Sequence, residues 1–247
     1  MAKLAFEHCA DDYARYRPAY PPEVLAFVDQ TAPRGAIADV GAGTGIFTRA
    51  LAETGRTVIA IDPSPAMLAQ IAPADHGTLI PRIVAPAEQL PLDDASVAGV
   101  TCAQSFHWFN PPVALAEFAR VLPPEGFLLL VWNNRDANDP FVAEFEQLVT
   151  RFNPKYCCEY RQQDWAGKIA ATGLFTPVET VRYRSLWTMP TSAFVGFTRS
   201  ASYIRNVLSA SDRAAFERAL DEILARHTDN GRCTVPLNTV GWWCRRR

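Results

Sequence analysis

An aspartate and three glycines, spaced D-x-G-x-G-x-G at residues 39–45, form the part of the chain best suited to binding a nucleotide-like ligand. Glycine allows backbone turns that are closed to other residues, and it lets a ligand approach the main chain without meeting a Cβ. The apolar run at residues 36–40 predicts a strand before this turn, and the helical spacing of apolar residues at 46–51 predicts a helix after it. A helix start presents unpaired N–H groups and a partial positive charge, so it favours a carboxylate or another anionic group.

An acidic side chain follows the next predicted strand, at residues 57–61. Asp62 lies 21 residues after Gly41, and this spacing suits a carboxylate that accepts hydrogen bonds from both hydroxyls of a ribose. The alternative is that Asp62 only caps the helix that follows, a role for which Ser64 is also suited. Dinucleotide-binding turns usually have the pattern G-x-G-x-x-G, and in this chain Ile46 occupies the position of the third glycine. The turn alone therefore does not determine which nucleotide-like cofactor is bound, and other residues must be considered.

The elements that position these residues alternate between strand and helix over residues 36–132. Further strands are predicted at 79–85, 97–103 and 126–132, and a helix is predicted at 113–121. Because parallel crossovers are right-handed, this alternation predicts a doubly wound sheet that binds its ligand beyond the carboxyl ends of the strands.

From residue 133 the order of elements changes. We predict helices at 139–152, 162–172, 191–208 and 212–227, and strands at 178–186 and 233–244 that complete the sheet as a hairpin-like pair. The expected organisation is a single domain over 1–247, with an N-terminal arm at 1–30, a cofactor-binding core at 36–132, and cap helices with sheet-completing strands at 133–247.

Several segments in order resemble class I S-adenosylmethionine-dependent methyltransferases, in the small-molecule group that includes the trans-aconitate-type enzymes. The matching segments are residues 39–45, Asp62, residues 87–92, residues 104–109 and residues 120–126, and residues 13–21 resemble an arm that recurs in one subgroup. The resemblance implies an α/β fold with a doubly wound, seven-stranded, mostly parallel Rossmann-like sheet, an antiparallel last strand and a helical cap. It also implies S-adenosyl-L-methionine as the cofactor.

The resemblance further implies which residues hold that cofactor. The glycine turn would hold the methionyl part, Asp62 the ribose hydroxyls, the Ala87 N–H the adenine, and Gln104 would lie beside the methionyl group. The full set of cofactor-binding residues expected in this way is Tyr16, Arg17, Asp39, Gly41, Ala42, Gly43, Thr44, Gly45, Asp62, Pro63, Ala87, Glu88 and Gln104.

The chain departs from the family pattern at two places. Family members often carry Asp before the Ala-Glu pair to bind the adenine amino group, and Pro86 stands there in this chain. Either Glu88 or a backbone carbonyl takes over that contact, or the adenine is held less tightly. Glu125-Gly126 replaces the usual pair of glycines, which we interpret as a turn variation.

Methyl transfer from a sulfonium is an in-line displacement, so its main requirements are positioning of the nucleophile and exclusion of water. His107 follows the fourth predicted strand and is the candidate general base, because its unperturbed pKa lies near 6.5. The alternative is that His107 forms a structural hydrogen bond or shapes the pocket with Trp108 and Phe109. Tyr13 and Tyr16 are candidates to close the arm over the cofactor, since aromatic faces attract a sulfonium.

The composition argues against several other classes of protein. The chain has 247 residues, 49% of them apolar, and a formal net charge of −2, so it lacks the broad positive field expected for a nucleic-acid partner. No run approaches the roughly 18 apolar residues of a membrane span, and we expect a cytoplasmic protein. The six cysteines show no C-x-x-C pair and no metal-like spacing, so no metal is expected.

The methyl acceptor is expected to be a small molecule, and the protein a monomer or homodimer. The Asn110-Pro111-Pro112 segment is similar to a motif of nucleic-acid methyltransferases, but it lies six residues beyond Gln104 and predicts a helix start instead. A substrate carboxylate could pair with one of three arginines, namely Arg17, Arg199 and Arg205. Two alternatives stay open, a non-catalytic cofactor-binding regulatory protein and an enzyme of another reaction on the same fold.

Overall fold

A computed structural model describes residues 17–74, 77–156, 161 and 163–247. Tyr13 and Tyr16 of the predicted arm lie outside the described residues. The strands are β1 (Ile37–Val40), β2 (Val58–Asp62), β3 (Arg82–Val84), β4 (Gly99–Ala103), β5 (Phe127–Arg135), β6 (Glu179–Pro190) and β7 (Arg232–Arg245). The α-helices are α1 (Pro22–Thr31), α2 (Ile46–Glu53), α3 (Pro65–Ala69), α4 (Pro111–Val121), α5 (Pro140–Phe152), α6 (Trp165–Ala170), α7 (Thr191–Ser200), α8 (Ser202–Arg205) and α9 (Ala210–His227), and a 3₁₀ turn spans Phe106–Trp108.

Across the described residues the strands form a seven-stranded sheet of order β3-β2-β1-β4-β5-β7-β6. Strands β1 to β5 are parallel, as in the registers of β1 with β2 and of β4 with β5. Strand β7 runs against β5, because the Gly126 carbonyl pairs with the Arg246 N–H near one end and the Asp136 N–H pairs with the Pro236 carbonyl near the other. The predicted mostly parallel, doubly wound sheet with antiparallel last strands is confirmed.

The sheet order changes direction at β1, which lies between β2 and β4. In such a sheet the crevice beyond the carboxyl ends of these strands is the expected ligand site. Strand β1 and the first seven residues of β5 are buried, which agrees with their mainly apolar sequences. Gly99 is required in β4, because a Cβ at this position would lie 2.0 Å from the Phe127 ring of β5.

The chain divides into two compact units, each with its own apolar core. The core unit comprises the described residues among 19–133, 162–183 and 239–247, and the helical unit comprises those among 17–18, 134–161 and 184–238. The core unit is centred on an apolar cluster that includes Val24, Val28, Ile37, Leu51 and Phe127. The helical unit packs α5 and α9 around an aromatic cluster of Phe141, Phe145, Phe194, Phe197 and Phe216.

A buried arginine ends helix α1 in the core unit. Arg56 is only 5% exposed, and its guanidinium donates to the carbonyls of Val28, Ala32 and Pro33 over 3.2, 3.0 and 2.7 Å. The Val28 carbonyl also accepts the Ala32 N–H, whereas the carbonyls of Ala32 and Pro33 lie just beyond the last turn of α1, where a helix leaves acceptors unpaired. Arg56, about 25 residues further along the chain, therefore provides hydrogen-bond donors to the C-terminal end of α1.

Three local features differ from the sequence prediction. The helix predicted at 191–208 is divided into α7 and α8 at Ala201, whose ψ is 121°. Near this break, the hydroxyls of Thr198 and Ser200 donate to backbone carbonyls three residues earlier in the chain. Strand β3 is shorter than predicted, and Leu79 is 77% exposed. The 3₁₀ turn at Phe106–Trp108 was not predicted.

Within the described ranges, no helix has the length and apolarity needed to cross a membrane. The same ranges hold no group of three His, Cys, Asp or Glu side chains placed to ligate a metal ion.

Candidate cofactor site

The glycine turn between β1 and α2 has three positive φ angles, of 72° at Gly41, 55° at Gly43 and 78° at Gly45. The first and second glycines are required for different reasons. A Cβ on Gly41 would lie 2.4 Å from the Cβ of Ser105, whereas a Cβ on Gly43 would meet only the Met67 methyl at 3.4 Å. Gly41 is therefore needed for packing inside the protein, and Gly43 leaves room for a ligand beside the main chain.

Asp39 holds this turn from inside the protein. Its two carboxylate oxygens accept hydrogen bonds from Thr48 of α2 over 2.5 Å and from Thr101 of β4 over 2.8 Å. The residue is 1% exposed, and burial raises its pKa from 3.8 to about 6, against the lowering effect of the two hydroxyls. Asp39 thus joins β1, α2 and β4 at the carboxyl edge of the sheet.

Asp62, the last residue of β2, is joined to the same turn. Its Oδ2 accepts the Gly43 N–H over 2.9 Å and its Oδ1 accepts the Ser64 N–H over 2.8 Å. Burial raises the pKa of Asp62, while these two hydrogen bonds act in the opposite direction. Ser64 caps α3 through its Oγ, which accepts the Met67 N–H. Because Ser64, and not Asp62, caps this helix, the Asp62 carboxylate can hold the glycine turn through the Gly43 N–H. Pro63 lies between Asp62 and Ser64.

Polar groups at the start of α2 are candidates for binding a ligand. The Oγ1 of Thr44 is buried and has no hydrogen-bond partner among the described residues. Gly45, the N-cap of α2, contributes no side-chain hydrogen bond to the first turn of the helix. A buried hydroxyl and uncapped helix N–H groups fit a ligand that carries a carboxylate, which agrees with the space beside Gly43.

The segment after β3 carries the two residues expected near an adenine. Ala87 is buried, and the backbone there turns through a bond from the Gln89 N–H to the Pro86 carbonyl. Glu88 is engaged with the protein, because its Oε1 accepts the Asn110 N–H over 2.8 Å at the start of α4. Glu88 therefore braces this segment against the one that follows β4.

Gln104 ends β4 in a left-handed conformation with φ 58°, which is strained for a residue with a side chain. Its Nε2 donates to the Asn133 carbonyl of β5 over 2.9 Å. The Asn133 side chain in turn donates to the Ala19 carbonyl over 3.1 Å and accepts from Thr239 over 2.6 Å. Asn133 joins the end of β4 to β5, to β7 and to the segment before α1. The sequence analysis did not identify it.

His107 lies in the 3₁₀ turn directly after β4. Its Nδ1 accepts the indole N–H of Trp132 over 3.4 Å, and burial lowers its pKa to about 4. Trp108 beside it is 54% exposed. His107 is therefore neutral at physiological pH, and it lies at the carboxyl edge of the sheet together with the glycine turn and Gln104.

The arginines considered for a substrate carboxylate lie in the helical unit. Arg199 is paired with Glu217 over 2.8 and 2.9 Å. The guanidinium of Arg17 lies 4.9 Å from the centre of the Phe197 ring. Arg205 has a buried Nη1 without a hydrogen-bond partner among the described residues. Arg199 is therefore already committed to a protein carboxylate.

Residues missed by the sequence analysis act mainly through contacts that are distant in sequence. Thr101 had a recognisable signal, because a polar residue in a buried apolar strand needs a partner. Asn133 and Trp132 had none, since nothing in their local sequence indicates a bond to Gln104 or His107.

Residues 38–130 match the family model described as a methyltransferase domain. An uncharacterized methyltransferase of Mycobacterium tuberculosis is 43% identical over 148 residues, which are 60% of this chain and 60% of that protein. An uncharacterized methyltransferase of Schizosaccharomyces pombe is 36% identical over 158 residues, 61% of either chain. The matches thus span about three fifths of these relatives' own lengths.

The structure of a candidate type II methyltransferase from Anaeromyxobacter dehalogenans has the same fold. It covers 94% of this chain and 98% of its own, with a TM-score of 0.65 and 24% sequence identity. The matched residues 38–130 contain β1 to β4, the glycine turn, Asp62, Gln104 and His107, and they extend into β5. Residues 38–130 are therefore similar to a methyltransferase domain, and the chain shares the fold of a solved methyltransferase-like structure.

Proposed function

We propose that the protein transfers a methyl group from S-adenosylmethionine to a small-molecule acceptor. The observation that carries this proposal is the glycine turn, where a Cβ on Gly43 would meet only the Met67 methyl at 3.4 Å and the Gly43 N–H is bonded to the carboxylate of Asp62. A cofactor with a carboxylate at one end and a ribose in the middle needs this combination of helix start, small residues and acid.

In this proposal each part of the cofactor is bound by a different segment of the domain. Gly41, Ala42, Gly43, Thr44 and Gly45 hold the methionyl part, with the Thr44 hydroxyl and the first N–H groups of α2 as donors. Asp62 and Pro63 lie along the ribose, and Ala87 with Glu88 lies along the adenine, with Glu88 acting through its bond to Asn110. Asp39 acts from behind the turn, through Thr48 and Thr101.

When bound, S-adenosylmethionine supplies an electrophilic methyl group on a positively charged sulfur. The protein's task is then to hold the acceptor in line with that methyl group and to exclude water. Gln104 and His107, which follow β4, are the residues we propose to face the reacting atoms. Tyr13, Tyr16 and Arg17 remain proposed contributors from the N-terminal arm, of which only Arg17 lies in the described residues.

We further propose that the acceptor carries a carboxylate, as in the trans-aconitate-type group that the sequence resembles. A carboxylate is the natural partner of a guanidinium. Of the arginines considered for this role, Arg199 is paired with Glu217.

Isothermal titration calorimetry tests the cofactor assignment. The expected result is micromolar affinity for S-adenosylmethionine and for S-adenosylhomocysteine. Absence of heat with both, together with binding of NADH, would overturn it. A screen of acceptors by release of S-adenosylhomocysteine, with mass analysis of the products, tests the reaction. Cofactor binding without turnover across the panel would favour a regulatory protein, and a product without an added methyl group would show another reaction.

A further inference from the structure

The guanidinium of Arg120, near the end of α4, is bonded to the segment that follows β3. Its Nη2 donates to the Leu90 carbonyl over 3.0 Å, and its Nη1 donates to the Leu92 carbonyl over 2.8 Å. The same two nitrogens bond Glu117 and Asp94, each over 2.7 Å, and Nε bonds Glu117 over 2.9 Å. A guanidinium has five N–H donors, so these five hydrogen bonds match its full donor capacity.

Glu117, one turn earlier on α4, holds the same segment through a backbone N–H. Its Oε1 accepts the Leu90 N–H over 2.7 Å, so both backbone polar groups of Leu90 are bonded to side chains of α4. The Glu117 side chain is 14% exposed, and the hydrogen bonds from Arg120 lower its pKa. Glu117 is therefore ionised at neutral pH, and the two opposite charges orient each other against the segment.

These bonds hold one end of a short segment, residues 85–92, and its other end is held as well. The Ala85 N–H donates to the Asp62 carbonyl over 3.3 Å. The Glu88 carboxylate accepts the backbone N–H of the residue that precedes α4. Ala87, the residue proposed to bind the adenine, lies between these attachments and is only 3% exposed. Its backbone position is therefore set from both sides.

We infer that Arg120, together with Glu117, is a positioning residue for adenine recognition. In this inference neither side chain touches the base, and both act through the backbone of Leu90 on the direction of the Ala87 N–H. The inference rests on the proposed cofactor. Because Pro86 stands where family members often carry an acid, recognition of the base depends more on the backbone, and a backbone donor is selective only when it is held in place.

Selectivity for the base distinguishes this role from a contribution to stability alone. On the edge of adenine that carries the amino group, N1 is a hydrogen-bond acceptor. In hypoxanthine N1 carries a proton, which would face the Ala87 N–H and leave two donors without an acceptor. S-inosylhomocysteine, which carries hypoxanthine in place of adenine, should therefore bind more weakly than S-adenosylhomocysteine. A loosened segment should discriminate less between them.

Calorimetry with both ligands measures this selectivity. Arg120→Met keeps an unbranched stem and removes the donors, so we expect the Kd of S-adenosylhomocysteine to rise about tenfold and the ratio of the two Kd values to fall about threefold. Arg120→Lys keeps the charge but has three donors on one nitrogen, so it should resemble Arg120→Met. Asp94→Asn is the matched control, since it changes a partner of Arg120 whose side chain is 80% exposed, and it should leave both Kd values unchanged.

Glu117 gives a second, milder test. Glu117→Gln retains an oxygen for the Leu90 N–H and should lose less selectivity than Glu117→Ala, and it carries the test where the more severe variants do not fold. In the ligand-free protein, amide hydrogen exchange at Leu90 should be faster in Glu117→Ala than in Asp94→Asn.

The outcomes separate the inference from the proposed function. Equal affinity of the unaltered protein for the two ligands would overturn the inference. So would an unchanged Kd ratio in folded Arg120 and Glu117 variants with lowered melting temperatures, which would assign both residues to stability alone. Failure of the unaltered protein to bind S-adenosylhomocysteine would overturn the proposed function itself.

Discussion

Gly43 donates its backbone N–H to Oδ2 of Asp62 over 2.9 Å, so the turn after β1 and the end of β2 are joined by a charge-assisted hydrogen bond. The second carboxylate oxygen accepts the Ser64 N–H. Both carboxylate oxygens of Asp62 in the proposed ribose site are therefore held in place by the protein's own backbone. Such preorganisation lowers the cost of binding.

Replacing Asp62 with Asn should weaken cofactor binding. Both oxygens of Asp62 accept backbone N–H groups, so the amide –NH₂ of Asn would have to face a donor. We expect the Kd of S-adenosylhomocysteine to rise about 10- to 100-fold, about 1.4 to 2.7 kcal/mol, in calorimetry. Asp221→Asn, an exposed position on α9, is the control. Equal affinities for the Asp62 variant and the unaltered protein would show that this carboxylate does not hold the ribose.

Gly43→Ala should separate ligand binding from folding. The added Cβ meets only the Met67 methyl at 3.4 Å, but it occupies the space proposed for the cofactor. The positive φ costs about 1 kcal/mol of stability. Gly173→Ala carries a similar strain, with φ 69° and no atom within 4 Å of the new Cβ, and it is the matched control. Both variants should show similar melting temperatures, and only Gly43→Ala should lose affinity for S-adenosylhomocysteine.

Asp39→Asn should change how stability depends on pH. The folded-state pKa of Asp39, about 6, lies above its ordinary value of 3.8, so the folded state retains a proton that the unfolded state has lost between these values. This group's contribution to stability is therefore most favourable below pH 4 and declines as the pH rises through 6, by about 3 kcal/mol in all. Asn removes this decline, and it can still bond both threonine hydroxyls, which donate or accept.

The measurement for Asp39 is thermal unfolding of the ligand-free variant and the unaltered protein at about pH 5 and about pH 8. The melting temperature of the variant relative to the unaltered protein should rise between the two pH values. A difference that stays constant with pH would mean that Asp39 does not titrate in this range.

Arg56→Met should destabilise the core unit. The change keeps an unbranched apolar stem and removes the donors to the Ala32 and Pro33 carbonyls together with the ion pair to Asp29. The Val28 carbonyl keeps the Ala32 N–H. Leaving buried acceptors without partners costs about 1 to 3 kcal/mol, and we expect a melting temperature several degrees lower. Arg34→Met is the control, because the Arg34 side chain is 78% exposed. Equal melting temperatures of the two variants would show that solvent replaces the Arg56 donors.

The order and type of the elements could be predicted because their signals are local. The glycine turn, the apolar runs of β1, β4 and β5, and the prolines that begin α1 and α4 each reflect the structure of their own segment. The interruption at Ala201 could not be predicted, since Phe194, Phe197 and Ile204 continue the helical pattern across it. The Thr198 and Ser200 hydroxyls donate to the carbonyls of Val195 and Phe197 just before the interruption.

For the candidate site, the sequence predicts residues whose proposed role depends on their backbone position. Gly41, Gly43 and Asp62 lie where the strand ends place them, so their spacing was informative. Trp132 and Asn133 act through side-chain contacts to segments about thirty residues away, and only the folded sheet brings these together. His107 was identified by position, but its protonation depends on burial, which the sequence does not reveal.

The bond from the Asn110 N–H to Glu88 links two loops of the domain. It joins the segment that follows β3 to the segment that carries His107 and Trp108. If these segments lie along the adenine and the acceptor as proposed, a substitution at Glu88 should affect both. An exchange of loops with a relative should then transfer both segments together, with Glu88 and Asn110 taken from the same parent.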